Sequence, residues 1–154
     1  MKFSRLKNTV ITAISGLMIC QTFAVFADNQ SGSFTTGLAA GVDFYQVTCF
    51  DDGSGLPSYV EAQVKDMTAN TSKVGILLYK GTACTTKQCA QASIDTTDNN
   101  TTYSPLTKVS QGAGVYNLFV LHTAAGTDSY DILVHCKTAS DGHTGTSVSS
   151  KQQQ

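Results

Sequence analysis

Charged side chains are scarce in this 154-residue sequence, at 14% of the residues or about half the usual share. Arginine is rarer still, because Arg5, near the start of the chain, is the only one. The bidentate contacts that a guanidinium group makes with phosphate or carboxylate are therefore missing from the rest of the sequence. The formal net charge of -1 also disfavours a nucleic-acid partner.

The sequence also lacks the short motifs that mark common catalytic sites. No G-x-S-x-G nucleophile elbow occurs. Cys84 and Cys89 are spaced C-x4-C rather than in the C-x-x-C pattern of thiol oxidoreductases. We therefore expect a protein that is not an enzyme and that uses no cofactor.

The first 27 residues have the three parts of a secretory signal peptide. Lys2, Arg5 and Lys7 make the start positive, residues 10–19 are mostly apolar, and Val25 and Ala27 are compact residues where signal peptidase reads the chain. We expect cleavage after Ala27. The apolar run is much shorter than the roughly 20 residues of a membrane-spanning helix, so we do not expect it to be a permanent anchor. No other segment is long and apolar enough to cross a membrane, so we expect no membrane insertion after cleavage.

Removal of residues 1–27 takes away three of the ten basic residues and no acidic one, which leaves a net charge of -4. We expect the remaining chain to be periplasmic or extracellular. Its composition predicts a flexible lead-in over residues 28–40 with one short strand, a β-domain over 41–150 and a polar tail over 151–154.

Four cysteines remain in the predicted mature chain: Cys49, Cys84, Cys89 and Cys136. An even number in an exported chain is typical of disulfides rather than of a metal site. Three pairings are possible. The short spacing of Cys84 and Cys89 favours a local bridge and leaves Cys49 with Cys136, whereas the other two pairings need long crossed loops in a small domain.

Apolar and polar residues alternate repeatedly after residue 40, which is the period of a β-strand with one buried face. No window of a dozen residues beyond the leader has helical apolar spacing, so we predict an all-β domain. Seven to nine short strands favour an antiparallel two-sheet sandwich over a closed barrel. Because Cys49 and Cys136 share the inward register, we expect the first and last long strands to be neighbours. The predicted buried sets are Tyr45, Val47 and Cys49; Val60, Ala62 and Val64; Val74, Ile76 and Leu78; Tyr116, Leu118 and Val120; and Tyr130, Ile132, Val134 and Cys136.

Four segments resemble, in order and spacing, the bacterial pre-peptidase C-terminal domain. They are Asp43-Phe44-Tyr45-Gln46-Val47, Ile76-Leu77-Leu78-Tyr79, Gly114-Val115-Tyr116-Asn117-Leu118-Phe119-Val120 and Tyr130-Asp131-Ile132-Leu133-Val134. The resemblance covers about residues 41–137. It implies a jelly-roll-like β-sandwich of a kind usually appended to secreted peptidases, with relatives that bind extracellular matrix or carbohydrate.

Several strands carry apolar residues on the face opposite the predicted core as well. So much exposed apolar surface is unusual for a soluble monomer and predicts contact with a protein, a cell-surface polymer or a second copy of the chain. In the alternative, the lead-in or the segment 144–150 folds over this face. The predicted partner-binding residues are Phe44, Phe50, Leu77, Tyr79, Phe119 and Leu121.

The three histidines, His122, His135 and His143, allow a second hypothesis, a periplasmic protein that binds copper or zinc. The alternative for each of them is an isolated surface histidine. The leading hypothesis is an exported, non-catalytic β-sandwich that works by surface contact, as an adhesion or binding module or as a subunit of an extracellular assembly.

Overall fold

The structure of the protein is a computed structural model that describes residues 28–81, 88–97 and 101–154. The described residues form nine β-strands and no helix, which confirms the all-β prediction. The predicted signal peptide and Cys84 lie outside the described residues. The strands are β1 (Asp28–Phe34), β2 (Val42–Phe50), β3 (Tyr59–Asp66), β4 (Val74–Tyr79), β5 (Ala90–Ile94), β6 (Thr107–Val109), β7 (Gly114–His122), β8 (Asp128–Lys137) and β9 (His143–Gln152).

The strands pair antiparallel in the order β5-β4-β7-β2-β9-β8-β3-β6. β9 pairs with β8 only at its start and then with β2 along the rest of its length, so β1 occupies the remaining side of β8. The sheet curls until its end strands, β5 and β6, lie next to each other. The nine strands therefore form a nearly closed barrel.

Side chains bridge the gap between the end strands β5 and β6. The hydroxyls of Ser93 and Thr107 lie 2.8 Å apart, and the backbone N–H of Lys108 donates to the side-chain oxygen of Gln91 over 3.2 Å. The first contact joins the two strands through side chains, and the second gives the backbone N–H of Lys108 a partner of the kind that a ladder would otherwise supply.

All five predicted buried sets lie inside the barrel. Each set faces inward because side chains alternate between the two sides of a strand, and the intervening residues face outward. Three tyrosines, Tyr45, Tyr116 and Tyr130, are the largest of the fully buried side chains. Phe34, which the alternation did not identify, is also buried in this core.

The chain segments at either end of the described residues are both paired β-strands. Residues 28–40 include strand β1, whose seven residues all pair with β8, and Phe34 at its end is only 1% exposed. β9 continues to Gln152, beyond the predicted boundary at residue 150. Neither segment has a strong apolar pattern in its sequence. Backbone hydrogen bonds rather than buried side chains hold most of their length in the fold.

A disulfide joins Cys49 of β2 to Cys136 of β8, with Cα atoms 5.5 Å apart, and confirms that predicted pairing. Such a bond is typical of a non-cytoplasmic environment. The bridge brings the two strands together, but they do not pair with each other, since β2 and β8 each pair with β9 instead. The bridge spans the point at which β9 leaves β8 for β2. The second predicted disulfide, Cys84 with Cys89, stays a prediction because Cys84 lies outside the described residues.

Candidate functional site

The outer side of strands β5, β4, β7 and β2 carries a continuous group of apolar side chains. Phe44 of β2 lies opposite Phe119 of β7, and Phe119 lies opposite Leu77 of β4, so the three form one row across the sheet. The rings of Phe44 and Phe119 stack with centroids 4.9 Å apart. Leu121 and Ile94 flank Gly75 in the next row. We call Phe44, Leu77, Ile94, Phe119 and Leu121 the apolar face.

Glycine at position 75 lets the side chains beside it close over the sheet. A Cβ atom there would lie 3.0 Å from Cγ1 of Ile94 and 3.7 Å from Cδ1 of Leu121. The two aliphatic side chains therefore pack over the backbone of β4 and join the row formed by Leu77 and Phe119. Apolar surface consequently extends over four adjacent strands.

The structure brings four of the six predicted partner-binding residues together in the apolar face. Tyr79 lies on the same side of the sheet but in the row that contains Asn117 and Gln46, which are polar. Phe50 lies at the far end of β2, where its ring covers Gly145 of β9. The predicted set is thus one group of four with two separate aromatic residues.

Neither end segment folds over the apolar face, which was the alternative to partner binding. β1 pairs with β8 on another part of the barrel, and β9 lies beside β2 in the same sheet rather than on top of it. Phe44, Leu77, Phe119 and Leu121 are partly exposed, and Ile94 is 43% exposed. Within the described part of the chain, this surface remains in contact with solvent.

His122 is buried and belongs to the fold. Its Nδ1 atom lies 3.2 Å from Oδ2 of Asp128, its Nε2 atom contacts the carbonyl oxygen of Leu38, and Phe34 stacks on its ring. Both ring nitrogens are therefore engaged. His135 lies seven residues beyond Asp128 along β8, which corresponds to about 23 Å. The prediction that His122 shares a metal site with His135 and His143 is therefore wrong.

The other two histidines do meet, on the outer side of β3, β8 and β9. The rings of His135 and His143 are perpendicular, with centroids 4.7 Å apart. Glu61 lies directly opposite His135, and His143 lies directly opposite Lys137. We call Glu61, His135, Lys137 and His143 the Lys137 cluster.

Lys137 lies at the centre of this cluster and is only 9% exposed. Its Nζ atom is 3.3 Å from Nε2 of His143, 3.6 Å from Oε1 of Glu61 and 3.3 Å from the carbonyl oxygen of Asp141. Burial, with smaller contributions from His143 and Lys137, lowers the pKa of His135 to about 4. His135 is therefore neutral near pH 7.

Sequence reasoning did not single out Glu61 or Lys137, because each is an ordinary outward residue of a strand. Only the strand register brings them to the two histidines.

Among the described residues, no three His, Cys, Asp or Glu side chains are grouped closely enough to hold a metal ion. The described residues also include no helix with the length and hydrophobicity that crossing a membrane requires.

No protein-family model matches this chain, and no curated protein matches it. The candidate functional surfaces are therefore those of the barrel itself: the apolar face on β2, β4, β5 and β7, and the Lys137 cluster on β3, β8 and β9.

Proposed function

We propose that this protein is an exported, non-catalytic β-domain that works by surface contact, in the periplasm or outside the cell. The observation that carries the proposal is the row formed by Leu77, Phe119 and Phe44, which runs across three adjacent strands on the outside of the barrel. Outward side chains of a solvated antiparallel sheet are normally polar. An apolar row in this position is a typical site of contact with a partner.

The chemistry of the face favours a protein surface, a cell-surface polymer or a second copy of the chain. Aromatic and aliphatic side chains are the usual centre of a contact surface, and polar residues form its rim. The row that contains Tyr79, Asn117 and Gln46 supplies such a rim on one side. The apolar face holds no charged side chain, so shape and apolar contact rather than ion pairing would select the partner.

Two finer statements about the fold belong to this proposal. The first is that the barrel is a jelly-roll-like sandwich, with β1, β8, β3 and β6 in one layer and β5, β4, β7, β2 and β9 in the other. The Cys49–Cys136 disulfide would then join the layers beside β9. The second is the relation to the pre-peptidase C-terminal domain, which the four sequence segments support.

Export is the part of the proposal that mass spectrometry can test directly. We expect the protein isolated from its native cells to begin at Asp28. A first residue of Met1 or Cys20 would contradict cleavage after Ala27. The same sample, alkylated in denaturant without reductant, should take up no label on cysteine.

The contact surface is tested by replacing Phe119 and Leu121 with serine. Sedimentation of the purified protein measures self-association, and crosslinking on intact cells followed by mass spectrometry measures contact with other molecules. We expect the double variant to lose the association, or the crosslinks that map to the apolar face, and still to unfold cooperatively with its disulfide intact.

Val115→Ser is the matched control, because Val115 lies on the same side of β7, is 45% exposed and stands outside the apolar face. It should leave association unchanged. The proposal fails if the wild-type protein is monomeric at high concentration and forms no crosslink through this face. It also fails if the double variant unfolds, because the two residues would then be needed by the fold itself.

A further inference from the structure

One edge of strand β9 lacks a partner strand over most of its length. β9 pairs with β8 at His143 and Thr144, and from Gly145 onwards it pairs with β2 through its opposite edge. β1, which fills the place beside β8, pairs with β8 alone. Beyond Thr146, whose hydroxyl accepts the backbone N–H of Cys136, the backbone of β9 therefore has a free edge among the described strands.

This free edge is open to solvent. Ser150 lies opposite Tyr45 in the β2–β9 ladder, so both face the inside of the barrel. Tyr45 is 1% exposed, but Ser150 is exposed. Ser147 and Ser149, on the outer side of β9, are exposed as well. An approaching strand can therefore reach the edge of β9 at residues 147–150.

The devices that usually prevent pairing between strand edges occur only at the end of β9. Natural edge strands are protected by charged side chains, proline or β-bulges. The β2–β9 register shifts between Phe44 and Tyr45, and Lys151 lies on the β9 side of this shift. Residues 147–150, Ser-Val-Ser-Ser, contain no charge and no proline. This part of the edge can therefore meet an identical edge without charge repulsion.

We infer that two copies of this protein associate through β9, edge to edge and antiparallel, so that one sheet continues across both copies. Antiparallel pairing of two identical strands has a two-fold axis, and each copy contributes the same donors and acceptors to it. The axis is perpendicular to the sheet. Outer residues of one copy, such as Ser147 and Ser149, therefore meet outer residues of the other.

This pairing places the apolar faces of the two copies on the same side of the continuous sheet. β2, which carries Phe44, is the strand next to β9. The two β2 strands would be three strand spacings apart, or about 14 Å. A partner that contacts both apolar faces binds more tightly than one face alone allows. This last step rests on the proposed contact function, whereas the pairing of β9 does not.

The experiment is sedimentation of the protein that begins at Asp28, over a range of concentrations. We expect a monomer–dimer equilibrium. Ser147→Lys together with Ser149→Lys should weaken dimerisation on the order of tenfold or more, because like charges that face each other across an antiparallel pair repel. An equal mixture of this variant with Ser147→Glu, Ser149→Glu should form a heterodimer, since the facing charges are then opposite.

Leu106→Lys together with Val115→Lys is the matched control. It adds the same charge at two positions outside β9 that are 53% and 45% exposed, and dimerisation should not change. Phe119→Ser with Leu121→Ser should also keep the β9 dimer while it loses crosslinks through the apolar face. Failure of the β9 pairing and failure of the proposed contact function therefore give different results.

Amide hydrogen exchange of the wild-type protein, followed by NMR, tests the pairing without any substitution. The amides of residues 147–150 that point away from β2 should exchange more slowly as the concentration rises. Two results overturn the inference. One is a wild-type protein that stays monomeric at the highest concentration at which it is soluble. The other is a dimer that the lysine pair on β9 weakens no more than the control pair does.

Discussion

The hydroxyl of Tyr130 lies 2.9 Å from the hydroxyl of Tyr45 inside the barrel, and it also donates a hydrogen bond to the carboxylate of Asp43. Asp43 is completely buried, and its other oxygen accepts the backbone N–H of Gln154 over 2.7 Å. The two phenols thus connect β8 to β2 through the core. Burial and the bond to Asp43 raise the pKa of Tyr130 above its usual range.

Replacing Tyr130 with phenylalanine should destabilise the protein by about 2 kcal/mol, because a buried carboxylate then loses a hydrogen-bond donor. Urea unfolding at neutral pH measures the change. Tyr79→Phe is the control, since Tyr79 is partly exposed on the outer surface, and should change stability by less than about 0.5 kcal/mol. Equal effects of the two changes would show that the Tyr130 hydroxyl has no special role.

Stability should fall as the pH rises from 10 to about 12. Burial raises the pKa of Tyr116 from 10.0 to about 12, so the folded protein keeps a proton that the unfolded chain releases. Unfolding in this range releases protons, and higher pH therefore favours it. The shift of Tyr116 corresponds to about 2 to 3 kcal/mol in total.

Urea unfolding at a series of alkaline pH values, with phenolate absorbance followed in parallel, checks this prediction. Tyr116→Phe should lose the Tyr116 contribution and so flatten the dependence of stability on pH above 10. A phenolate signal complete by about pH 10.5 in the folded protein would contradict the raised pKa of Tyr116.

Removing the Cys49–Cys136 disulfide by a double change to alanine should lower stability by about 4 to 5 kcal/mol. The bridge closes a loop with a sequence separation of 87, and the entropy that it removes from the unfolded chain grows with loop length. A double change of Cys84 and Cys89 should cost about half as much, since any loop that they close is short. Denaturant unfolding of both variants tests the order, and a larger loss from the short pair would reverse it.

Phe34→Ala should destabilise the protein by about 3 to 5 kcal/mol, as expected for truncating a fully buried aromatic side chain. The ring of Phe34 stacks on His122, with centroids 4.4 Å apart, and so attaches the end of β1 to the core. Thermal or urea unfolding measures the loss. Leu56→Ala is the control, because Leu56 is 75% exposed and its truncation should change stability by less than about 0.5 kcal/mol. A Phe34→Ala protein as stable as the control would mean that β1 contributes little to the fold.

Much of the inner surface of the barrel could be predicted from the sequence. Alternation with a period of two depends only on neighbouring residues, so sets such as Tyr116, Leu118 and Val120 were identified without knowledge of their partners. The Cys49–Cys136 pairing followed from the spacing of the cysteines. The presence of Leu77 and Phe119 on one outer face followed from the same alternation, although their placement in one row required the strand register.

The tertiary structure decided which strands pair, and the reason is that pairing joins residues far apart in the chain. β1 has a polar sequence with no alternating pattern. It forms a strand because it pairs with the side of β8 that β9 leaves free. His122 and His135 look alike in the sequence, but the fold buries the first against Asp128 and brings the second to His143. Strand order and register bring Glu61, Lys137 and His143 together from three different strands. The residues next to each of them in the sequence do not predict this contact.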